Sequence, residues 1–114
     1  MNLARLNGIQ TDLNVLVQRE PFDFRSPSIM IGDISISIQR GEYNYSTPRI
    51  DWQDSSIYSA FEVGLFDFRH LPDKTLWPEH EDSGDLYVYA YVDRALIEAY
   101  LYELNIKYIK GEIK

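Results

Sequence analysis

Between residues 86 and 104 the hydrophobic period of the sequence changes once, and the change falls at a single residue. Leu86, Val88, Ala90 and Val92 alternate with Tyr87, Tyr89 and Tyr91, the period of 2 that a strand requires. Beyond Asp93 the apolar residues Leu96, Ile97, Tyr100, Leu101 and Leu104 recur at helical spacing, opposite Arg94, Glu98 and Glu103. Asp93 marks the switch, because its carboxylate can accept from the free amides of a first helical turn. A strand that passes directly into an amphipathic helix has to bury that helix's apolar face against a sheet, so the fold class expected is α+β.

The rest of the chain supplies the remaining strands. Ile29 and Ile31 alternate, Gly32-Asp33 intervenes, and Ile34, Ile36 and Ile38 resume in the opposite phase, which requires a tight turn or a bulge. Ser35, Ser37 and Gln39 form the polar face of this half-buried strand. Residues 57–68 alternate again, with Ile57, Phe61, Val63 and Leu65 on one face and Tyr58, Ala60, Glu62, Gly64 and Phe66 on the other. Residues 41–56 and 71–85 have no sustained period and read as loops, the second holding Pro72, Pro78 and Gly84. A helix is favoured over residues 9–18, although Leu13, Val15 and Val17 also fit a strand. Asn105 can close the later helix in the left-handed conformation, and residues 106–109 read as a short final strand. The expectation is a single domain over 1–114: an antiparallel sheet of four to five strands, a C-terminal helix packed on it and an N-terminal helix beside it.

Charge and composition exclude several functions. The net charge is −7, and residues 51–85 alone hold nine acids against two bases, Arg69 and Lys74, so this stretch carries the whole imbalance. Such a field repels a polyanionic duplex, which argues against direct nucleic-acid binding. Cysteine is absent, which removes thiolate metal sites and disulfides and fits a reducing compartment. No apolar run approaches the ~18 residues of a membrane span, and the amino terminus lacks the basic and apolar regions of a signal peptide, so a cytoplasmic location is expected. Neither a Gly-x-Ser-x-Gly elbow nor a glycine-rich phosphate loop occurs. With no catalytic pattern, metal loop or cofactor motif to point to, a non-enzymatic protein is expected.

Three constellations stand out. Glu79, Glu81, Asp82 and Asp85 crowd the second loop around Trp77, and read as an acidic docking surface with an aromatic anchor, or else as a solvated loop with Trp77 packed over the sheet edge. Tyr87, Tyr89 and Tyr91 lie on one side of a strand, where large amphipathic rings suit an interface if no helix covers them. Gln39, Tyr45, Arg49, Tyr58 and Glu62 can meet if the two long strands pair, giving either a structural Arg49–Glu62 bridge or a pocket for a small anion such as a nucleotide signal. The tyrosine strand and the short final strand are each able to support a homodimer.

Some of these residues also carry a resemblance. Residues 35–39 (Ser-Ile-Ser-Ile-Gln), 44–49 (Asn-Tyr-Ser-Thr-Pro-Arg), 58–64 (Tyr-Ser-Ala-Phe-Glu-Val-Gly) and 88–92 (Val-Tyr-Ala-Tyr-Val) before a helix resemble a group of small proteins of phages and mobile elements. The resemblance covers about residues 28–104 and brings no assigned chemistry. It implies a context, because small, acidic, cysteine-free proteins of such elements often bind and block a host protein, anti-CRISPR and other anti-defence inhibitors among them. The expected function is therefore an inhibitor that occupies the basic nucleic-acid-binding surface of a host defence protein. The alternatives are an immunity protein for a toxin nuclease, and the small-molecule binder built on Arg49.

Overall fold

Two Gly-Asp dipeptides set the edges of the sheet. In the computed structural model, which describes residues 11–19 and 25–114, Ile31 pairs with Ile34 across Gly32-Asp33, and Ser83 pairs with Leu86 across Gly84-Asp85. Both are two-residue hairpin turns whose first residue has positive φ, +60° at Gly32 and +63° at Gly84, where a side chain is strained. Their surroundings differ. A Cβ on Gly84 would meet nothing within 4 Å, whereas one on Gly32 would lie 2.6 Å from the carbonyl carbon of Lys114. Gly84→Ala is therefore expected to cost about 1 kcal/mol, from backbone strain alone. Gly32→Ala should cost about 2–3 kcal/mol, because overpacking adds to that strain. Urea midpoints of the two variants check the ordering.

The elements in chain order are α1 (Leu13–Leu16), β1 (Ile29–Ile31), β2 (Ile34–Gln39), a 3-10 turn (Ser55–Ile57), β3 (Ala60–Leu65), β4 (His80–Ser83), β5 (Leu86–Asp93) and α2 (Arg94–Ile109). The strands form one antiparallel five-stranded sheet in the order β1-β2-β3-β5-β4. The fold is thus the expected α+β arrangement, with a C-terminal helix and a short N-terminal one. Ile36 and Ile38 of β2 stand opposite Leu65 and Val63 of β3, and these side chains join Ile97, Leu101 and Leu104 of α2 in a single core. At roughly 25 cal/mol per Å² of apolar area removed from water, burial of this kind is the main favourable term.

Several expected elements take a different form. α1 is one turn long, with the Asp12 carboxylate accepting from the Asn14 amide at 2.9 Å; residues 9 and 10 of the expected helix lie outside the described residues. β3 begins only at Ala60, because the 3-10 turn before it reverses the expected faces: Tyr58 enters the core and Ile57 is exposed. Asn105 does not end α2. Its Nδ2 donates to the Leu101 carbonyl at 2.7 Å from a buried position, and residues 106–109 continue the helix where a final strand was expected. Asp93 sits at the helix start as expected, but its side chain makes no capping bond. Ser37 and Gln39 are buried rather than solvated, since the Gln39 amide is fully engaged. It accepts from the Ser26 N–H at 2.8 Å and donates to the Ser26 carbonyl and the Ser37 Oγ, both at 3.0 Å.

The largest departure is in β5. Phe61 pairs with Val92 and Val63 with Tyr89, so Ala90 and Tyr91 together face the single residue Glu62, a β-bulge. Tyr91 takes φ +54°, a left-handed conformation that costs a non-glycine residue roughly 1–2 kcal/mol. The bulge shifts the phase of the strand. Tyr87 and Tyr89, opposite Leu65 and Val63, point into the core side with Val92, and Tyr91 alone turns out to solvent.

Two arginines tie the irregular segments to this frame. Arg40 is only 1% exposed: Nη1 donates to the Val17 carbonyl at 2.7 Å and to the Ser26 Oγ at 3.2 Å, and Nη2 donates to the Gln53 carbonyl at 3.0 Å. Burial, and next the neighbouring Arg19 charge, lowers the Arg40 pKa from its ordinary value. Arg94, with its guanidinium 5.2 Å above the Phe61 ring, donates to the carbonyls of Ser55 and Tyr58 and to the Asn14 side chain, fastening α1 and the 3-10 turn to α2.

Candidate protein-binding surface

The acidic stretch expected to be a loop is an edge strand. β4 pairs only with β5, all four of its residues are exposed, and its outer side carries no partner strand among the described residues. Side chains alternate across the sheet. His80 and Asp82 stand opposite Tyr89 and Tyr87 on the helix-bearing side, and Glu81 stands opposite Val88 on the other. Glu79 precedes the strand and Asp85 lies in its turn, both exposed, so the four acids flank the hairpin on both faces. An edge dense in like charge resists pairing with a second copy of itself.

The hairpin rests on an aromatic stack. The His80 ring lies 3.7 Å from Tyr87 at 14°, and Tyr87 lies 4.1 Å from Phe68 at 18°. His80 Nδ1 also lies 3.0 Å from an Asp82 carboxylate oxygen. Trp77 is 7% exposed and meets Tyr89 and Tyr100 edge-on, with ring centroids at 5.1 and 5.3 Å. The Asp73 turn sets it there. Asp73 Oδ1 accepts from the Thr75 N–H and hydroxyl at 2.9 and 2.7 Å, and the Asp73 carbonyl accepts from the amides of Leu76 and Trp77. Those Thr75 bonds favour the ionised form and hold the Asp73 carboxyl below its ordinary range. The Tyr100 hydroxyl donates to the His70 carbonyl, and burial pushes the Tyr100 phenol pKa up.

These positions correct two expectations. Trp77 and Tyr89 are core residues, so neither is available as an anchor for a partner. Tyr87 is half-buried between His80 and Phe68, and Tyr91, 47% exposed, is the most open of the three. The surface that survives is Glu79, Glu81, Asp82 and Asp85, backed by the stacked rings.

The expected small-anion pocket is dispersed. Gln39 is committed to Ser26, and the Tyr58 hydroxyl accepts from the Trp52 amide and donates to the Ile50 carbonyl from inside the core. Arg49 and Glu62 form no ion pair: Glu62 instead accepts from the Tyr45 amide at 3.0 Å, and the Arg49 guanidinium lies 5.0 Å above the Tyr45 ring. Tyr45 completes the arrangement by accepting from the Tyr91 amide at 3.0 Å, its ring 5.8 Å from that of Tyr91. Tyr45, Arg49, Glu62 and Tyr91 therefore make an exposed patch at one end of the sheet, while Gln39 and Tyr58 hold the structure behind it.

Among the described residues no group of three or more His, Asp or Glu side chains is placed to hold a metal ion, and no helix is long and apolar enough to cross a membrane. No protein-family model, curated protein sequence or solved structure matches this chain.

Proposed function

We propose that this chain is a non-enzymatic inhibitor that binds a basic protein groove through the acidic β4–β5 hairpin. The observation that supports the reading most is the placement of the acids. Glu79, Glu81, Asp82 and Asp85 are all exposed on one edge hairpin, whose helix-bearing side is anchored by Tyr87 against Phe68 and Tyr89 against Trp77. Carboxylates clustered on one edge hairpin can take the place of phosphates in a groove built for nucleic acid, because complementary charge steers encounter and fixes register. The resemblance to small phage and mobile-element proteins makes a host defence protein in the cytoplasm the target class, as for anti-CRISPR and other anti-defence inhibitors. An immunity protein facing a toxin nuclease would use the same charge complementarity.

The test starts from the partner retained by the tagged protein, identified by native mass spectrometry. The quadruple variant Glu79→Gln, Glu81→Gln, Asp82→Asn, Asp85→Asn is expected to bind that partner about 100-fold more weakly and with a flatter dependence on salt. Nucleic acid should compete with the unmodified protein for the same site. Unchanged affinity in the quadruple variant would remove the hairpin from the interface.

A further inference from the structure

Tyr91 holds an aromatic ring in solvent from a strained backbone. Its φ is +54°, its side chain is exposed, and it takes no part in the core, so packing gives no reason for a large ring at this position. Residues kept in sparsely populated backbone regions gather at binding sites, and the surroundings of Tyr91 have the makings of one. The Tyr45 carbonyl accepts from the Tyr91 amide at 3.0 Å, and Glu62, which faces the bulge, accepts from the Tyr45 amide at 3.0 Å. These bonds set the two rings as a pair, with centroids 5.8 Å apart, before any partner arrives. Tyr45 already carries a cation, the Arg49 guanidinium 5.0 Å above its ring. The other arginine–ring contacts among the described residues place Arg40 on Tyr58 and Arg94 on Phe61, which leaves Tyr91 as the open member of the pair.

This pair continues the acidic hairpin. β4 begins at His80, opposite Tyr89 and two residues along β5 from Tyr91, and the exposed Glu79 leads into β4 at that end. On the sheet face away from α2, Glu81 stands opposite Val88 and Val88 opposite Gly64, two residues from Glu62 on the same face of β3. Carboxylates therefore flank the Tyr91 end of β5 from both neighbouring strands. We propose that Tyr91 receives an arginine of the basic partner, the guanidinium stacked on the exposed ring and facing the flanking carboxylates. The inference rests on the reading of the β4–β5 hairpin as the contact surface, and it gives that surface the aromatic anchor that the buried Trp77 cannot supply. Arginine fits better than lysine because its planar, weakly hydrated fork stacks on a ring and pairs with carboxylates at once.

Calorimetric titration of the full chain with nona-arginine and with nona-lysine at matched ionic strength tests the assignment. The unmodified protein should bind nona-arginine more tightly. Tyr91→Asn, whose short side chain tolerates this φ, should fold with a thermal midpoint within a few degrees of the original and bind nona-arginine about three-fold more weakly, with its nona-lysine affinity unchanged. Tyr91→Phe, which keeps the ring, should retain the preference, and the quadruple variant at Glu79, Glu81, Asp82 and Asp85 should weaken both peptides. With the quadruple variant weakened, a nona-arginine affinity unchanged in Tyr91→Asn, or an equal loss for both peptides there, would overturn the Tyr91 site alone. A quadruple variant that binds both peptides as the unmodified protein does would overturn the hairpin reading, and this site with it.

Discussion

Arg40→Met is expected to lower the folding free energy by about 3 kcal/mol, among the largest single effects available outside the apolar core. Methionine keeps most of the apolar stem but leaves the Gln53 carbonyl without its guanidinium donor and removes the stronger of the two donors to the Val17 carbonyl, which keeps only the Ser26 hydroxyl at 3.0 Å. Each buried acceptor deprived of its partner costs about 1–3 kcal/mol, and removing the desolvated charge returns part of that sum. Arg49→Met provides the control, because Arg49 is exposed and surface changes usually stay within about 0.5 kcal/mol. Urea unfolding followed by circular dichroism measures both. A loss below about 1 kcal/mol for Arg40→Met would mean that the three segments hold together without the guanidinium.

Trp77→Ala should cost about 3–5 kcal/mol, the range for truncating a buried aromatic residue. The indole is nearly covered and contributes edge-on contacts to Tyr89 and Tyr100, so its loss opens a cavity between the sheet and α2. This outcome separates the buried role from the partner-anchor reading. Under the buried role, stability falls while affinity per folded molecule holds to within a few-fold. An anchor would give the reverse, a stable protein that binds weakly. Trp77→Phe, which keeps an apolar ring in place, should recover a good part of the stability.

The parts of the fold that were readable are those where one strand or helix buries one face. Residues 34–39 and 86–93 alternate because the sheet has two sides, and residues 94–104 repeat at 3.6 because α2 lies on one of them. β4 was not readable in this way, since His-Glu-Asp-Ser contains no apolar residue and therefore no period. Its signal is the Gly84-Asp85 turn, the same dipeptide that marks Gly32-Asp33, read with the strong strand that follows it. The β5 bulge left no trace in its own residues, whose alternation is unbroken. It arises from pairing with β3, some twenty residues away, and it separates Tyr91 from Tyr87 and Tyr89, which the alternation alone places on one face. The last helical turns were misread because Ile106, Tyr108 and Ile109 suit either period, while Asn105, spaced four residues from Leu101, continues the buried stripe.

The candidate surfaces divide similarly. The acids were visible as a charge imbalance, although their mounting on an edge strand was not. The burial of Arg40 has no signature in the sequence, since Val17, Ser26 and Gln53, whose groups it binds, are brought to the end of β2 only by the fold.

The bulge in β5 also bears on which sequences this fold can accept. Tyr87, Tyr89 and Val92 are fixed by what they pack against, but Tyr91 is constrained almost entirely by its own backbone. At φ +54° the residues that fit with least strain are glycine, asparagine and aspartate. Variation at this position is thus free in side-chain size and chemistry toward solvent yet narrow in backbone type. A β-branched residue, which an alternating strand would otherwise welcome, is the kind most strained there.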